Sequence, residues 1–130
     1  SKELIETLLH TANVFKINDD ELVLIRTMCD LEGTNEEVCR QLIGKYNLRY
    51  MILTAGSSFS SIYTADEAST IPTPKVQVAD TVGAGDSFSG AFIYSILTGK
   101  SLREAHQAAV ETAAFVCTQE GAWPEYPNKN

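Results

Sequence analysis

The stretch Asp80-Thr81-Val82-Gly83-Ala84-Gly85-Asp86 decides the fold class. It follows the alternating segment Val76-Gln77-Val78, which predicts a short strand, and it precedes a helical pattern from Asp86 to about Thr98. The first N–H groups of a helix have no intrahelical partner and lie at the positive end of its dipole. Because glycines let the backbone come close to a ligand, this strand–turn–helix stretch predicts an anion-binding site.

The acidic residue at the end of the stretch is unexpected at an anion site. The carboxylate of Asp86 repels a bound phosphate unless it takes part in the reaction. Phosphoryl transfer offers such a part, since a base must accept the proton of the attacking hydroxyl. The N–H groups of Ala84, Gly85 and Asp86 can then stabilise charge on the transferred group. The alternative is that Asp86 is only the N-cap of the helix.

Predicted strands alternate with predicted helices along the rest of the chain. Apolar runs at residues 14–18 and 50–54 indicate strands, residues 60–64 predict the return strand of a hairpin, and residues 66–75 predict a loop that can hold a short edge strand. Strands that alternate with helices predict an α/β fold with a mainly parallel sheet between helices.

Capping signals place the helix starts. Asp19 and Asp20 are expected to cap a helix whose apolar face is formed by Leu22, Leu24, Ile25, Met28 and Cys29. Thr34 with Glu37, and Ser101 with Glu104, fit the capping-box pattern of a hydroxyl residue followed three positions later by a glutamate.

Composition excludes several classes of function. The net charge is −7 with 10 basic residues and no basic run, which argues against a nucleic-acid partner. No apolar run reaches the roughly 18 residues of a membrane helix. Three cysteines without a CxxC spacing indicate reduced thiols that act as small buried apolar side chains. We therefore expect a cytoplasmic protein without a nucleic-acid partner.

The glycine stretch resembles the second signature of the ribokinase (PfkB-type) carbohydrate kinases, D-T-x-G-A-G-D, and all six fixed positions match. The resemblance covers essentially all 130 residues, as the C-terminal part of the family domain. It implies a three-layer αβα, Rossmann-like (ribokinase-like) fold and ATP-dependent phosphorylation of a sugar hydroxyl. It also implies that Asp86 is the general base and that the loop of Gly83, Ala84 and Gly85 is the anion hole.

The same resemblance assigns residues to the nucleotide and to Mg²⁺. Lys16–Glu21 resembles the family's N-x-x-E element, so Asn18 and Glu21 are expected to place Mg²⁺, its waters and the phosphates. Thr54-Ala55-Gly56-Ser57 resembles the start of the T-x-G-x-x-G nucleotide loop, whose last glycine is Phe59 here. Val110 is expected to contact adenine. The alternatives are that Glu21 is an ordinary first-turn glutamate and that the second segment is an ordinary β-turn.

Many family members also hold a monovalent cation, and the resemblance implies a K⁺ site here. Asp80 and the carbonyl of Val82 are expected on one side. A turn after the last helix, from Val116 to Glu125 and including Gln119 and Gly121, is expected to supply carbonyls on the other. Asp80 as a structural cap of the loop is the alternative.

The sugar-binding half and the lid of the family domain are not found in these 130 residues. The chain is therefore expected to be an ATP-binding and catalytic part that is inactive alone, in a protein that can form a homodimer. Residues 74–88 are most similar to fructokinases. The alternatives are a catalytically silent, nucleotide-binding regulatory relative, and a dinucleotide-binding oxidoreductase, whose GxGxxG spacing is not matched.

Overall fold

The computed structural model describes Glu3, Thr7 and residues 13–56, 58–75 and 84–122, with the backbone alone described at Ala84 and residues 118–122. The strands are β1 (Val14–Asn18), β2 (Tyr50–Ala55), β3 (Phe59–Tyr63) and β4 (Ala68–Pro72). The helices are α1 (Asp19–Cys29), α2 (Asn35–Tyr46), α3 (Ala84–Leu97) and α4 (Leu102–Ala122). Two compact units result: residues 6–72 hold the sheet with α1 and α2, and residues 73–130 with 1–5 hold α3 and α4.

The sheet has the strand order β1-β2-β3-β4. β1 and β2 are parallel, whereas β2, β3 and β4 form an antiparallel meander. The hairpin return and the short edge strand predicted from the sequence are both confirmed, and within the described residues the sheet is mixed. The strand predicted at residues 76–78 lies outside them.

Burial explains why β2 is the central strand of this unit. Met51, Ile52 and Leu53 are fully buried, as the continuous apolar run predicts for a strand that is covered on both faces. A strand of this kind needs partners on both edges, and β1 and β3 supply them.

Helix α1 reaches the core along one stripe only. Leu22 is buried and Ile25 packs against the core, whereas Leu24 and Met28 are 62% and 81% exposed. The predicted apolar face is therefore wrong at Leu24 and Met28. At 100° per residue, Leu24 lies about 160° and Met28 about 120° around the helix from Leu22, so both positions are turned away from the buried stripe.

Helix α2 begins with the capping box that the sequence predicts. The N–H of Glu37 donates to Thr34 Oγ1 (3.1 Å) and the N–H of Thr34 donates to Glu37 Oε1 (2.7 Å), which completes a capping box. Gly33, at φ +120°, leaves room for it, because a Cβ there would lie 2.5 Å from Glu37 Oε1. The helix ends at Asn47, which adopts the left-handed conformation.

The cysteines behave mostly as small apolar side chains. Cys39 of α2 is fully buried in the core, Cys117 is buried and Cys29 is half-buried. Burial raises the pKa of the Cys39 thiol to about 11, so this thiol stays protonated and unreactive near neutral pH.

Helices α3 and α4 pack against each other as a helical hairpin. Phe88, Phe92 and Ile93 of α3 are buried, together with small residues of α4 such as Ala105 and Ala109. Among the described residues, no helix is long and apolar enough to cross a membrane.

Candidate nucleotide and catalytic site

Two of the predicted nucleotide segments meet at one edge of the sheet. In the parallel pair of β1 and β2, the register places Asn18 opposite Thr54. Thr54 Oγ1 also donates to the carbonyl of Ile17 across the pair (3.5 Å). The carboxyl ends of parallel strands are where open α/β sheets bind ligands. The structure therefore brings together the N-x-x-E element and the T-x-G loop, which are 36 residues apart in sequence.

Asn18 and Glu21 bind each other at the start of α1. The N–H of Glu21 donates to Asn18 Oδ1 (2.7 Å), and the N–H of Asn18 donates to Glu21 Oε1 (2.8 Å). Asn18 is thus the N-cap, and the prediction that Asp19 and Asp20 cap this helix is wrong, because they already lie in its first turn. The signal was in the sequence, since N-x-x-E is itself a capping-box spacing.

The turn after β2 explains how the chain accommodates Phe59. Gly56 has φ +55°, the left-handed region that favours glycine, and the N–H of Ser58 donates to the carbonyl of Ala55 (2.9 Å). Phe59 is already in β3, paired with Ala55 in extended conformation. Its backbone therefore does not require the glycine of the family pattern. Ser57 lies outside the described residues.

Asp86 lies in the first turn of α3, two residues after the helix begins. Its side chain is exposed and Gly85 beside it is half-buried. Ala84 is the first helical residue, while Asp80, Val82 and Gly83 lie outside the described residues. An exposed carboxylate at a glycine-opened helix start can accept a proton from a bound ligand, and it can equally cap the helix.

Two residues of α4 are buried close together in sequence. Val110, the predicted adenine contact, is 4% exposed, which leaves little of its side chain for a ligand, so that assignment stays a prediction. His106 is fully buried and meets the ring of Phe88 edge-on, with centroids 5.9 Å apart. Burial, and then the charge of Arg103, lower the pKa of His106 to about 4. Nothing in the sequence around His106 indicates that its side chain is buried.

The predicted cation-binding turn differs from the structure. Residues 116–122 are helical as part of α4, so the expectation of a turn from Val116 onward is wrong. The carbonyl of Val116 is in the helix interior and accepts an intrahelical hydrogen bond. Gln119 and Gly121 fall in the last turn, whose carbonyls have no intrahelical partner. Glu125 lies outside the described residues.

No group of three or more His, Cys, Asp or Glu side chains that could hold a metal ion occurs in the described ranges. The donors at the carboxyl edge of β1 and β2 are of a different kind: one carboxylate, one amide and one hydroxyl. Oxygen donors with few direct protein ligands suit Mg²⁺, which keeps several of its waters.

Residues 1–129 match the pfkB family carbohydrate kinase profile. An Arabidopsis thaliana protein named "Probable fructokinase-5" is 33% identical over 132 residues, which cover 96% of this chain and 40% of that protein. A Dictyostelium discoideum ribokinase is 28% identical, with 98% of this chain and 45% of that protein covered. The chain thus spans about 40% of the length of the curated relatives it matches.

The solved structures agree. The Thermotoga maritima ribokinase superposes with a TM-score of 0.70 at 27% identity, over 88% of this chain and 39% of that one. An E. coli protein described as a ribokinase II, solved with ATP and Mg²⁺, has the same fold, with a TM-score of 0.70 at 24% identity over 89% of this chain and 36% of its own. The ribokinase-like fold class predicted from the sequence is confirmed, and the chain belongs to the PfkB family of carbohydrate kinases.

Proposed function

We propose that this chain is the nucleotide-binding and catalytic part of an ATP-dependent sugar kinase. The observation that carries the proposal is the exposed carboxylate of Asp86 in the first turn of a glycine-opened helix, within a chain that matches a kinase family over residues 1–129. Since the chain spans about 40% of the curated relatives' length, the activity is proposed for the whole protein.

The carboxyl edge of β1 and β2 is assigned to the nucleotide. Asn18, Glu21 and Thr54 offer oxygen atoms there, and the positive φ of Gly56 lets the hairpin turn pass close to a phosphate or ribose. These donors fit Mg²⁺ held largely through its waters. When bound, Mg²⁺ neutralises charge on the phosphates as the phosphoryl group is transferred.

Asp86 is assigned the role of general base. Its carboxylate accepts the proton of the sugar hydroxyl as that oxygen forms its bond to the γ-phosphorus and the bond to the β-phosphate oxygen breaks. The N–H groups of the loop from Gly83 to Gly85 stabilise the charge on the transferred group. Such N–H groups stabilise the charge effectively because they are already oriented before the reaction.

The finer assignments rest on similarity to relatives. A fructokinase-like acceptor follows from relatives named fructokinases. A K⁺ site is proposed with Asp80, Val82, Gln119, Gly121 and Glu125. A homodimer of the full-length protein and a cytoplasmic location are expected from the family and from the reduced cysteines.

A catalytically silent, nucleotide-binding relative is the second candidate. The sequence feature in its favour was Phe59, and the extended backbone at Phe59 weakens it, because no glycine conformation is lost there. The intact carboxylate of Asp86 favours the enzyme.

Replacing Asp86 by Asn in the full-length kinase tests the proposal. We expect kcat for the preferred sugar of a panel including fructose and ribose to fall by about 10²–10⁴-fold, with the KM for ATP unchanged. Glu104→Gln is the matched control, since it removes a first-turn carboxylate from α4 and preserves that helix's capping box. An unchanged kcat in the Asp86 variant would remove this residue from the base role, and a wild type that phosphorylates no sugar would favour the silent relative.

A further inference from the structure

The first two turns of α3 contain few side chains that can fix their position in the helical hairpin. Residues 84–90 have the sequence Ala-Gly-Asp-Ser-Phe-Ser-Gly, so Phe88 is the only large apolar side chain among them. Gly85 and Gly90 also weaken this part of the helix, because glycine loses more backbone freedom on folding than any other residue. The position of these turns therefore depends largely on what packs against Phe88.

The side chain of His106, on α4, contacts the ring of Phe88. The ring centroids are 5.9 Å apart and the ring planes are inclined by 73°, which is an edge-to-face arrangement. Phe88 is 6% exposed and His106 is fully buried, so the contact is closed to water. Because edge-to-face ring pairs have a preferred geometry, this contact restrains the orientation of Phe88 more closely than an aliphatic neighbour would.

Asp86 lies on the opposite side of the same part of α3. At 100° per residue, Asp86 and Phe88 are about 200° apart around the helix axis, and about 3 Å apart along it. The burial agrees with this geometry, since Phe88 is buried and Asp86 is exposed. A rotation or a shift of the helix at Phe88 therefore moves the carboxylate of Asp86 as well.

The imidazole ring of His106 is uncharged near neutral pH. Burial, and then the positive charge of Arg103 one turn earlier on α4, lower the pKa of His106 to about 4. A buried charge is costly unless it is paired, whereas a neutral ring can remain packed against the apolar ring of Phe88. The contact between the two rings is therefore present at the pH at which the kinase would be assayed.

We propose that His106 is a positioning residue for the general base: its edge-on contact with Phe88 fixes the first two turns of α3 and so determines where the carboxylate of Asp86 lies. This inference rests on the proposed function. His106 is fully buried, so it acts on the reaction through α3 and not by contact with a ligand. A misplacement of reacting groups by about 1 Å can cost about 10²-fold in rate, so a small shift of α3 should be visible in kcat.

Two substitutions remove the contact from its two sides. His106→Gln removes the imidazole ring and keeps a polar side chain, and Phe88→Leu removes the phenyl ring and keeps an apolar one. Ile93→Val is the matched control, because it shortens another buried side chain of α3, seven residues beyond Asp86, and leaves both rings in place. The control therefore reports what a loss of core packing alone does to activity.

The measurement is kcat and the KM for ATP of the full-length kinase with its preferred sugar, and circular dichroism checks that each variant is folded. We expect kcat to fall by about 10-fold in His106→Gln and in Phe88→Leu, with the KM for ATP unchanged. The double variant should be no slower than the single ones, because both break the same contact. A wild-type kcat in either ring variant, additive losses in the double variant, or an equal loss in Ile93→Val would overturn the inference.

The Asp86→Asn variant separates this inference from the proposed function. Adding His106→Gln to Asp86→Asn should cause no further loss of kcat, because no base is left to misplace, and a further 10-fold loss would show that His106 acts by another route. If Asp86→Asn itself leaves kcat unchanged, the base role fails, and the positioning role fails with it. If Asp86→Asn lowers kcat and His106→Gln does not, the positioning role alone is wrong.

Discussion

Glu21 and Asp86 are both acids in the first turn of a helix, yet their surroundings differ. Glu21 is fixed by a reciprocal capping box at the end of a paired strand, and Asp86 is an exposed side chain on a helix that opens with Ala84 and Gly85. The two lie in different compact units of the chain. A carboxylate that is fixed by hydrogen bonds suits the binding of a cation, whereas a proton acceptor must be accessible to its substrate. The difference teaches that a first-turn carboxylate can cap its own helix, as Glu21 does, whereas the proposed function assigns the first-turn carboxylate of Asp86 to proton transfer.

The largest expected effect concerns whether a chain that carries Glu21 and Asp86 is sufficient for sugar phosphorylation. We expect the 130-residue chain alone to phosphorylate sugars on the order of 10⁵-fold more slowly than the full-length kinase, because the acceptor sugar is no longer held in place. A coupled assay of ADP release with a sugar panel measures this. Comparable turnover by the two proteins would show that the acids and their units are a complete enzyme.

A second test concerns the stability of the helical hairpin of α3 and α4, which contains both Asp86 and the buried His106. A histidine whose folded pKa is about 4, below its ordinary 6.5, favours the neutral form. The contribution of this neutral histidine to the free energy of unfolding is fully present above pH 6.5. It is lost as the pH falls toward 4, and the loss reaches up to about 3 kcal/mol. Hydrogen exchange of α3 and α4 amides between pH 7 and 4 measures the loss of protection, after correction for the intrinsic rate.

The control for this pH dependence is His106→Gln, which keeps a polar side chain without an ionisable ring. We expect its protection to be lower at pH 7 and to vary less with pH than that of the wild type. An identical pH slope in the two proteins would assign the titration to other groups.

Gly33 tests the capping box of α2, which is the counterpart of the box at Glu21, and Gly44 in the same helix is the comparison. Gly33→Ala should destabilise by about 1–3 kcal/mol, since it combines a positive φ with a Cβ 2.5 Å from Glu37 Oε1. Gly44→Ala should stabilise by about 0.5–1 kcal/mol, because the position is helical and has nothing within 4 Å of a Cβ. Urea unfolding of the 130-residue chain measures both, and equal shifts of the midpoint would contradict the account.

A similarly small effect is expected from a single lost helix cap. Ser101→Ala should destabilise α4 by about 1 kcal/mol, because the N–H of Glu104 loses its acceptor at 3.2 Å. The N–H and then the hydroxyl of Ser101 hold the pKa of Glu104 below its ordinary value, and the variant should raise it. NMR titration of Glu104 reads this directly, with Ser101→Thr as the variant that retains the cap.

Short-range chemistry was predictable from the sequence. The boxes at Thr34 and Ser101, the turn at Gly56 and the buried run of β2 depend on residues within a few positions, and the structure confirms them. The cap of α1 was placed one residue too late, since two aspartates offered the same chemistry as Asn18.

Long-range packing was not predictable in the same way. The periodicity of α1 cannot tell which of two apolar stripes meets the sheet, so Leu24 and Met28 were assigned to the core and are exposed. The cation turn was expected to begin at Val116, but the last helix continues through this position to Ala122, next to the helix-stopping Gly121. For the proposed site, the family pattern predicted the acids, and the register of β1 with β2 was needed to show that Asn18 lies beside Thr54.

The most direct test of the central comparison is the kcat of full-length Asp86→Asn and Glu21→Gln as Mg²⁺ is raised to saturation. Gln retains the capping box and removes the charge, so the Glu21 variant should require about 10-fold more Mg²⁺ and then regain its turnover. The Asp86 variant should stay about 10²–10⁴-fold below the wild type at every Mg²⁺ concentration. Recovery of the Asp86 variant with Mg²⁺, or failure of the Glu21 variant to recover, would contradict the division between a proton acceptor and a held carboxylate.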